Sequence, residues 1–556
     1  MSQEEKPNTC SAVDSTSAVF TSTRVHRLIL AVILTAAAAV YFFTYNPTRF
    51  GSSHDDGIYV STARALATGE GYRIISLPYA PAQTKYPPFY PFLLALIWGA
   101  NPGFPGNVNA MVSLSAIASL IFLGMTWRYL VEEQYAPGWK ALIIVALAAF
   151  NWRTVILANS LYTEMIFAAL SIAALILAER MERKPESSLR GLCLGLILGL
   201  GFLTRSAGVA LLAAVTIHYI LGRRFRLALL PLGVAGAIVA SWIGWCYVNR
   251  TTVTGINVAY YTSYLGHLKE VLVDLQAQDH TSTSATLLNV LATNALMLIV
   301  FSIPAVCFGL DYKWILFLGF AFLLITGGFI RDASKGWRLL HVYVLCYLAL
   351  HLFWLPYVSY DRFLIPILPF LLLWAIRELE NMASLGRRAL VPGGSLLGRA
   401  SAVLIGLVLI GTASVGLYSY VSKLYLSVAS APLRKEVKPI DEHMEAIEWI
   451  KANSEPSDVL ICDRDPIYFL YTGRKSAHFL PMSPAIDWQK DPEPIFDLVE
   501  ESNGKYLVLT TGDFEFKSFK ELVESHRAVF APVFTSANGG STVYVINAAN
   551  RPHAGT

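Results

Sequence analysis

Residues 191–220 read GLCLGLILGLGFLTRSAGVALLAAVTIHYI, a long apolar run broken by one charge, Arg205. As a single straight helix this run and its flanks would extend about 50 Å and hold Arg205 near the middle of a bilayer, where a cation is costly. As a hairpin with arms of about 15 residues, it puts Arg205 at the tip and leaves the basic flanks Arg180–Arg190 and Arg223–Arg226 on one side. The hairpin is the better reading. Its arms fall short of the roughly 20 residues that a span requires, so the tip is expected to sit below the membrane surface, in a cavity.

The rest of the chain agrees with a membrane setting. Hydrophobic residues make up 54% of the 556 and charged residues only 15%, against about 25% charged in ordinary soluble domains. The net charge of +4 is small and dispersed, which gives nucleic acid no footprint. Apolar runs recur at 27–45, 107–130, 139–157, 160–179, 189–204, 206–222, 226–248, 285–310, 312–330, 339–357, 362–377 and 399–420. They predict an α-helical polytopic membrane protein with about 11–13 spans over residues 27–420.

Arg24 and Arg27 precede the run LILAVILTAAAAVYFF, which reads as an uncleaved signal anchor, with residues 1–26 a disordered cytoplasmic N-terminus. The basic clusters Arg331–Arg338 and Arg377–Arg399 are then also cytoplasmic, and 46–106 is the first extracytoplasmic loop. One interval resists parity. Residues 249–284 belong outside and Arg331 inside, yet two apolar runs lie between them. Either one run does not cross, or a third crossing hides within 255–285. Residues 421–556 change character: DEHMEAIEWIKANS is helix-periodic with Asp441 as a plausible N-cap, and DVLIC, KYLVLTT, AVFAPVF and STVYVIN read as strands. An extracytoplasmic mixed α/β domain is expected, a cap or acceptor-binding platform rather than a separate enzyme. The six cysteines show no paired spacing, so neither a disulfide framework nor a cysteine metal site is expected.

With this orientation, ionisable residues gather at one membrane face. Asp55, Asp56 and Lys85 lie in the first outer loop; Arg153 and Glu164 flank the next outer turn; Arg205 is the hairpin tip; Asp361 and Arg362 open a further apolar run. Ionisable residues at membrane depth are functional candidates. Carboxylates mixed with cations suit a phosphate-bearing substrate beside a base.

These segments resemble the GT-C membrane glycosyltransferases, which include protein O-mannosyltransferases (family 39) and the bacterial transferases that place aminoarabinose on lipid A. HDDGIY at 54–59, KYPPFYPFLLAL at 85–96, YTEMIF at 162–167, GFLTRSAGVALL at 201–212 and DRFLIPILPFLLL at 361–373 follow the family's order. Asp56 stands where glutamate is frequent, and Arg205 where lysine is common. The resemblance implies a GT-C fold in a bacterial plasma membrane and an inverting transfer of sugar from a polyprenyl-phosphate donor to an acceptor hydroxyl on a glycan, lipid or protein. It implies Asp55 as general base, Glu164 and Asp56 as orienting or charge-balancing acids, and Lys85, Arg205 and Arg362 as ligands of the donor phosphate. Tyr59 and Tyr86, with Phe89 and Tyr90, would line the sugar or isoprenoid path. No cofactor is expected; an acid pair can bind a divalent ion, but no dedicated ligand set is visible. The alternative is a transporter or flippase of polyprenyl-linked sugars, which would also need phosphate-binding cations.

Overall fold

The computed structural model describes residues 11–51, 53–183, 187–250, 257–279, 282–310, 314–354, 360–389, 441–479, 493–511, 513 and 516–547, with scattered positions between 403 and 423. Half of the run 399–420 therefore lies outside the described residues. A bundle of helices carries a small C-terminal sheet domain. The first helix, α1 (Ser11–Thr44), begins within the stretch expected to be disordered. It is followed by α2 (His54–Ala67), α3 (Phe89–Ala100), α4 (Val108–Glu132), α5 (Gly138–Ala149), α6 (Trp152–Ala158), α7 (Glu164–Arg183), α8 (Ser188–Thr204), α9 (Gly208–Leu221) and α10 (Phe225–Val248). Then come the short α11 (Val258–Thr262), α12 (Tyr264–Asp279), α13 (Thr283–Ala295), which continues through a π-helical stretch into α14 (Ile303–Phe308), α15 (Ile315–Ala333), α16 (Leu339–Leu352) and α17 (Leu368–Ala389).

By length and apolarity, five helices among the described residues can cross a membrane, and a sixth span forms if α5 and α6, bent by 64° at their junction, count as one. The apolar helices α3, α8, α9 and α16 have only 12–17 residues, about 18–26 Å of helix against a hydrocarbon core of about 30 Å. The hairpin arms α8 and α9 are among these short elements, and Arg205 lies in extended backbone between them. Large apolar side chains such as Leu229, Ile243, Leu316 and Leu323 face outward, as a lipid-facing surface requires.

The α13–α14 stretch is long enough to span and is anchored at two points. Asn294 Nδ2 donates to the carbonyls of Leu352 (2.9 Å) and Trp354 (2.8 Å), and Asn151 Nδ2 donates to the carbonyl of Val306 (2.9 Å). Asn151 precedes Arg153, which is paired with Asp361 beside Arg362. These bonds tie the stretch to the C-terminal end of α16 and to the residue before α6. Elsewhere the basic clusters meet: Arg338 bonds the Glu133 carbonyl, Arg183 pairs with Glu133, and Arg331 pairs with Glu378 at 3.0 Å.

The C-terminal domain holds α18 (Asp441–Asn453), α19 (Asp465–Thr472), α20 (Glu493–Ser502) and α21 (Phe516–Ser525) around strands β1 (Val459–Cys462), β2 (Ser476–His478), β3 (Gly504–Thr510), β4 (Phe530–Thr535) and β5 (Ser541–Ile546). The sheet order is β2-β1-β3-β5-β4, parallel from β2 to β3 and antiparallel beyond. The four strands read from sequence are present; the three-residue β2 was missed.

This domain shares the core of the bundle. Ile467 and Tyr468 belong to the same buried cluster as Ile58 and Tyr59. At Gly57 the helices α2 and α19 approach so closely that a Cβ would lie 2.9 Å from both Pro466 and Ile467. Arg464 Nη1 donates to the Gly51 carbonyl at 2.8 Å, and the backbones of Ser476 and Ser76 bond at 2.8 Å. The helix that carries Asp55 is thus clamped by the C-terminal domain.

Candidate active site

A cavity of about 710 Å³ opens among α2, the loop before α3, the α8–α9 hairpin, α11, α12 and the end of α16. Its lining includes Asp55, Tyr59, Lys85, Tyr86, Glu164, Arg205 and Arg362. Seven residues singled out from sequence, distant along the chain, meet here.

Each is delivered by a specific local feature. Asp55 lies in the first turn of α2, where acids interact favourably with the exposed backbone N–H groups. Glu164 opens α7, and Arg362 lies in a 3₁₀ segment, Asp361–Ile367, that leads into α17. Lys85 and Tyr86 are held through their backbones, whose N–H groups donate to Gln83 Oε1 at 3.0 and 3.1 Å. Arg205 depends on the tight hairpin. At Gly208, a Cβ would fall 2.5 Å from the backbone nitrogen of Phe202, so only glycine permits this approach.

The polar groups form one network. Asp55 Oδ2 accepts from Arg362 Nη2 at 2.9 Å, and Asp55 Oδ1 accepts from the Tyr86 hydroxyl at 2.7 Å. Glu164 Oε1 lies 2.6 Å from Arg205 Nη1 and 3.7 Å from Arg362 Nε. Arg205 and Arg362 both stack near Phe363, at 4.4 and 4.8 Å. Lys85 Nζ donates to the Tyr260 carbonyl and sits 4.2 Å from the Tyr260 ring. Three cations therefore face two carboxylates, an arrangement open to one further anion.

The environment tunes these groups. Burial alone would raise the Asp55 carboxyl, but the Arg362 guanidinium and the Tyr86 hydroxyl, aided by Lys85, hold it at about 2. Burial lowers Lys85 to about 8 in spite of the attraction of Asp55.

Asp56 is not in this cavity. It is buried on another side of α2, where Oδ2 accepts from the Gly51 N–H at 3.0 Å, and burial pushes its carboxyl up to about 8. The expected catalytic pair thus divides into one cavity acid and one buried acid. Arg153 and Asp361 pair with each other and do not line the cavity. Tyr260, Tyr264, His267, His351 and Trp354 line it and were missed; the aromatic cluster AYYTSYLGH at 259–267 was the available signal.

By sequence, no protein-family model and no curated protein matches the chain. Solved structures do. ArnT from Cupriavidus metallidurans bound to undecaprenyl phosphate superposes with a TM-score of 0.53 at 13% identity, covering 94% of this chain and 98% of that one. Archaeal oligosaccharyltransferase AglB from Archaeoglobus fulgidus, in complex with an inhibitory peptide and a dolichol-phosphate, gives a TM-score of 0.52 at 13% identity, covering 94% and 75%. Both are GT-C glycosyltransferases. The chain has the GT-C fold.

Within this GT-C fold the cavity residues come from both the helical bundle and the segments clamped by the C-terminal domain. A further AglB structure contains zinc and sulfate. Among the described residues here, no group of three or more His, Cys, Asp or Glu side chains is placed to hold a metal ion. Asp55 is engaged by Arg362 and Tyr86, and Asp56 by the Gly51 N–H.

Proposed function

We propose that this GT-C protein is an integral-membrane glycosyltransferase acting at the extracytoplasmic face, with a polyprenyl-phosphate sugar as donor and a hydroxyl as acceptor. One observation carries the reading: a carboxylate that can take a proton, Asp55, shares a cavity with three cations that can hold a phosphate, Lys85, Arg205 and Arg362. The undecaprenyl phosphate and dolichol-phosphate in the structures of similar proteins support a lipid-phosphate donor. So does an apolar groove of about 420 Å³, lined by Leu66, Phe89, Phe92, Leu203 and Trp242, that can take an isoprenoid chain.

In the reaction, the acceptor oxygen attacks the anomeric carbon while the bond from that carbon to the phosphate oxygen breaks. The acceptor proton passes to Asp55, and the polyprenyl phosphate leaves with the bonding electrons. The phosphate is already a competent leaving group, so no acid is needed to protonate it. The protein contributes position, a base worth about 10²–10⁴-fold, and charge stabilisation worth several kcal/mol more.

Asp55 at about 2 is too weak a base while it is paired with Arg362. A donor phosphate that draws Arg362 away removes the main cause of the low value and leaves burial, which pushes the carboxyl up. Donor binding then activates the base. Glu164 retains Arg205 and limits charge repulsion among the cations. The charges lie at one end of the bundle rather than midway, which favours transfer over transport.

The test is incubation of membranes holding the protein with radiolabelled polyprenyl-phosphate sugars. Label should move to an acceptor with the wild type and not with Asp55→Asn. Movement of intact labelled lipid across the bilayer, with no glycosylated product, would replace this reading by the flippase.

A further inference from the structure

Asp465, at the start of α19 in the C-terminal domain, is fully buried, and the chemistry above gives it no task. Its Oδ1 lies 2.6 Å from Nε2 of His54, the residue before Asp55. A carboxylate accepts, so Nε2 carries the proton. The hydroxyl of Tyr260 lies 3.1 Å from His54 Nδ1, and the Tyr261 hydroxyl 3.4 Å from Nε2. Tyr260 in turn holds Lys85, through its carbonyl and its ring. An unbroken series of contacts runs from Asp465 through His54 and Tyr260 to Lys85.

The series has a physical purpose. Lysine is a point charge on a flexible stem and must be aimed by its surroundings. The element that aims it, α11, has five residues and is too short to hold its own shape. It is tied from outside by the Tyr260–His54 contact and by Thr84, whose hydroxyl donates to the Thr262 carbonyl at 2.7 Å.

We infer that Asp465, His54 and Tyr260 are positioning residues that set the Lys85 ammonium against the donor phosphate, so that the C-terminal domain completes the donor site. The inference rests on Lys85 as a phosphate ligand, and the experiment separates the two.

Full-length protein in lipid nanodiscs is acylated with N-hydroxysuccinimidyl acetate, and modification of Lys85 is followed by peptide mass spectrometry against the surface residue Lys451. Affinity for undecaprenyl phosphate is measured on the same preparations. Asp465→Asn should raise Lys85 acylation and weaken lipid binding, each by about tenfold, the size of a lost hydrogen bond to a charged group. Lys451 acylation should not change, and Asp465→Glu should restore part of both. In a Lys85→Ala background, Asp465→Asn should cause no further loss of binding. Unchanged Lys85 acylation, or losses that simply add, overturn the inference. Altered acylation with a Lys85→Ala protein that binds the lipid normally leaves the positioning intact and removes the phosphate role. Tyr260→Phe deletes one hydroxyl while keeping the ring and carbonyl, and gives the same readouts where Asp465→Asn does not accumulate.

Discussion

Replacing Asp55 with asparagine separates the base from the architecture around it. Asparagine has the shape of aspartate and keeps an oxygen that can accept from Tyr86 at the present 2.7 Å. It loses the proton-accepting carboxylate and the anionic partner of Arg362, while Glu164 stays 3.7 Å from that guanidinium. Three cations would then face one carboxylate in place of two. Transfer should fall by about 10²–10⁴-fold, the range for a positioned base. Lipid-phosphate binding should move the other way. A partly solvated ion pair is worth up to about 1 kcal/mol, so releasing Arg362 should tighten undecaprenyl phosphate by about two- to fivefold. The assay pairs initial rates of glycosyl transfer with equilibrium binding of undecaprenyl phosphate on one preparation. Wild-type transfer by Asp55→Asn, or parallel loss of transfer and binding, would refute the reasoning, the first by removing the base and the second by making Asp55 a structural residue.

Other expectations follow from the same groups. Lys85, lowered to about 8 by burial, loses its charge as pH rises through that value; affinity for the lipid phosphate should decline between about pH 7 and 9, and Lys85→Arg should flatten that decline. Asp56, raised to about 8, keeps in the folded state a proton that the unfolded chain releases near its ordinary 3.8. Stability should therefore fall as pH rises from about 4 to 8. Asp56→Asn, which can still accept from Gly51, should raise the thermal midpoint at neutral pH; a lowered midpoint would count against a buried neutral acid. Gly208→Ala places a methyl against the Phe202 backbone and should displace Arg205, reducing donor affinity in binding assays while the protein still assembles in the membrane.

Much of the cavity was legible because charge is rare beside apolar runs. Lys85, Glu164, Arg205 and Arg362 each interrupt or open such a run, and the cost of leaving them in lipid made them conspicuous. Tyr260, Tyr264 and Trp354 carried no comparable signal, since aromatic side chains gather at membrane interfaces for many reasons. His54 was read only as part of HDDGIY, because its partner Asp465 lies in a different domain. Hydropathy was also blind to direction. It registers the apolar character of residues 285–310 but not that Asn294 is tied to the end of α16 and Val306 to Asn151.

The pair Asp55–Asp56 shows most clearly where sequence stops and structure must continue. Neighbours on a helix point about 100° apart, so two adjacent acids need not share one cavity. The sequence alone leaves open which of them faces it. The clamp at Gly57 decides it: α2 can rest on Pro466 and Ile467 only with that glycine turned toward α19. This rotation aims Asp55 at Arg362 and Tyr86 and carries Asp56 to the Gly51 N–H. Enlargement of Ile467 on α19 should therefore act on transfer through the rotation of α2, even though no atom of α19 lines the cavity.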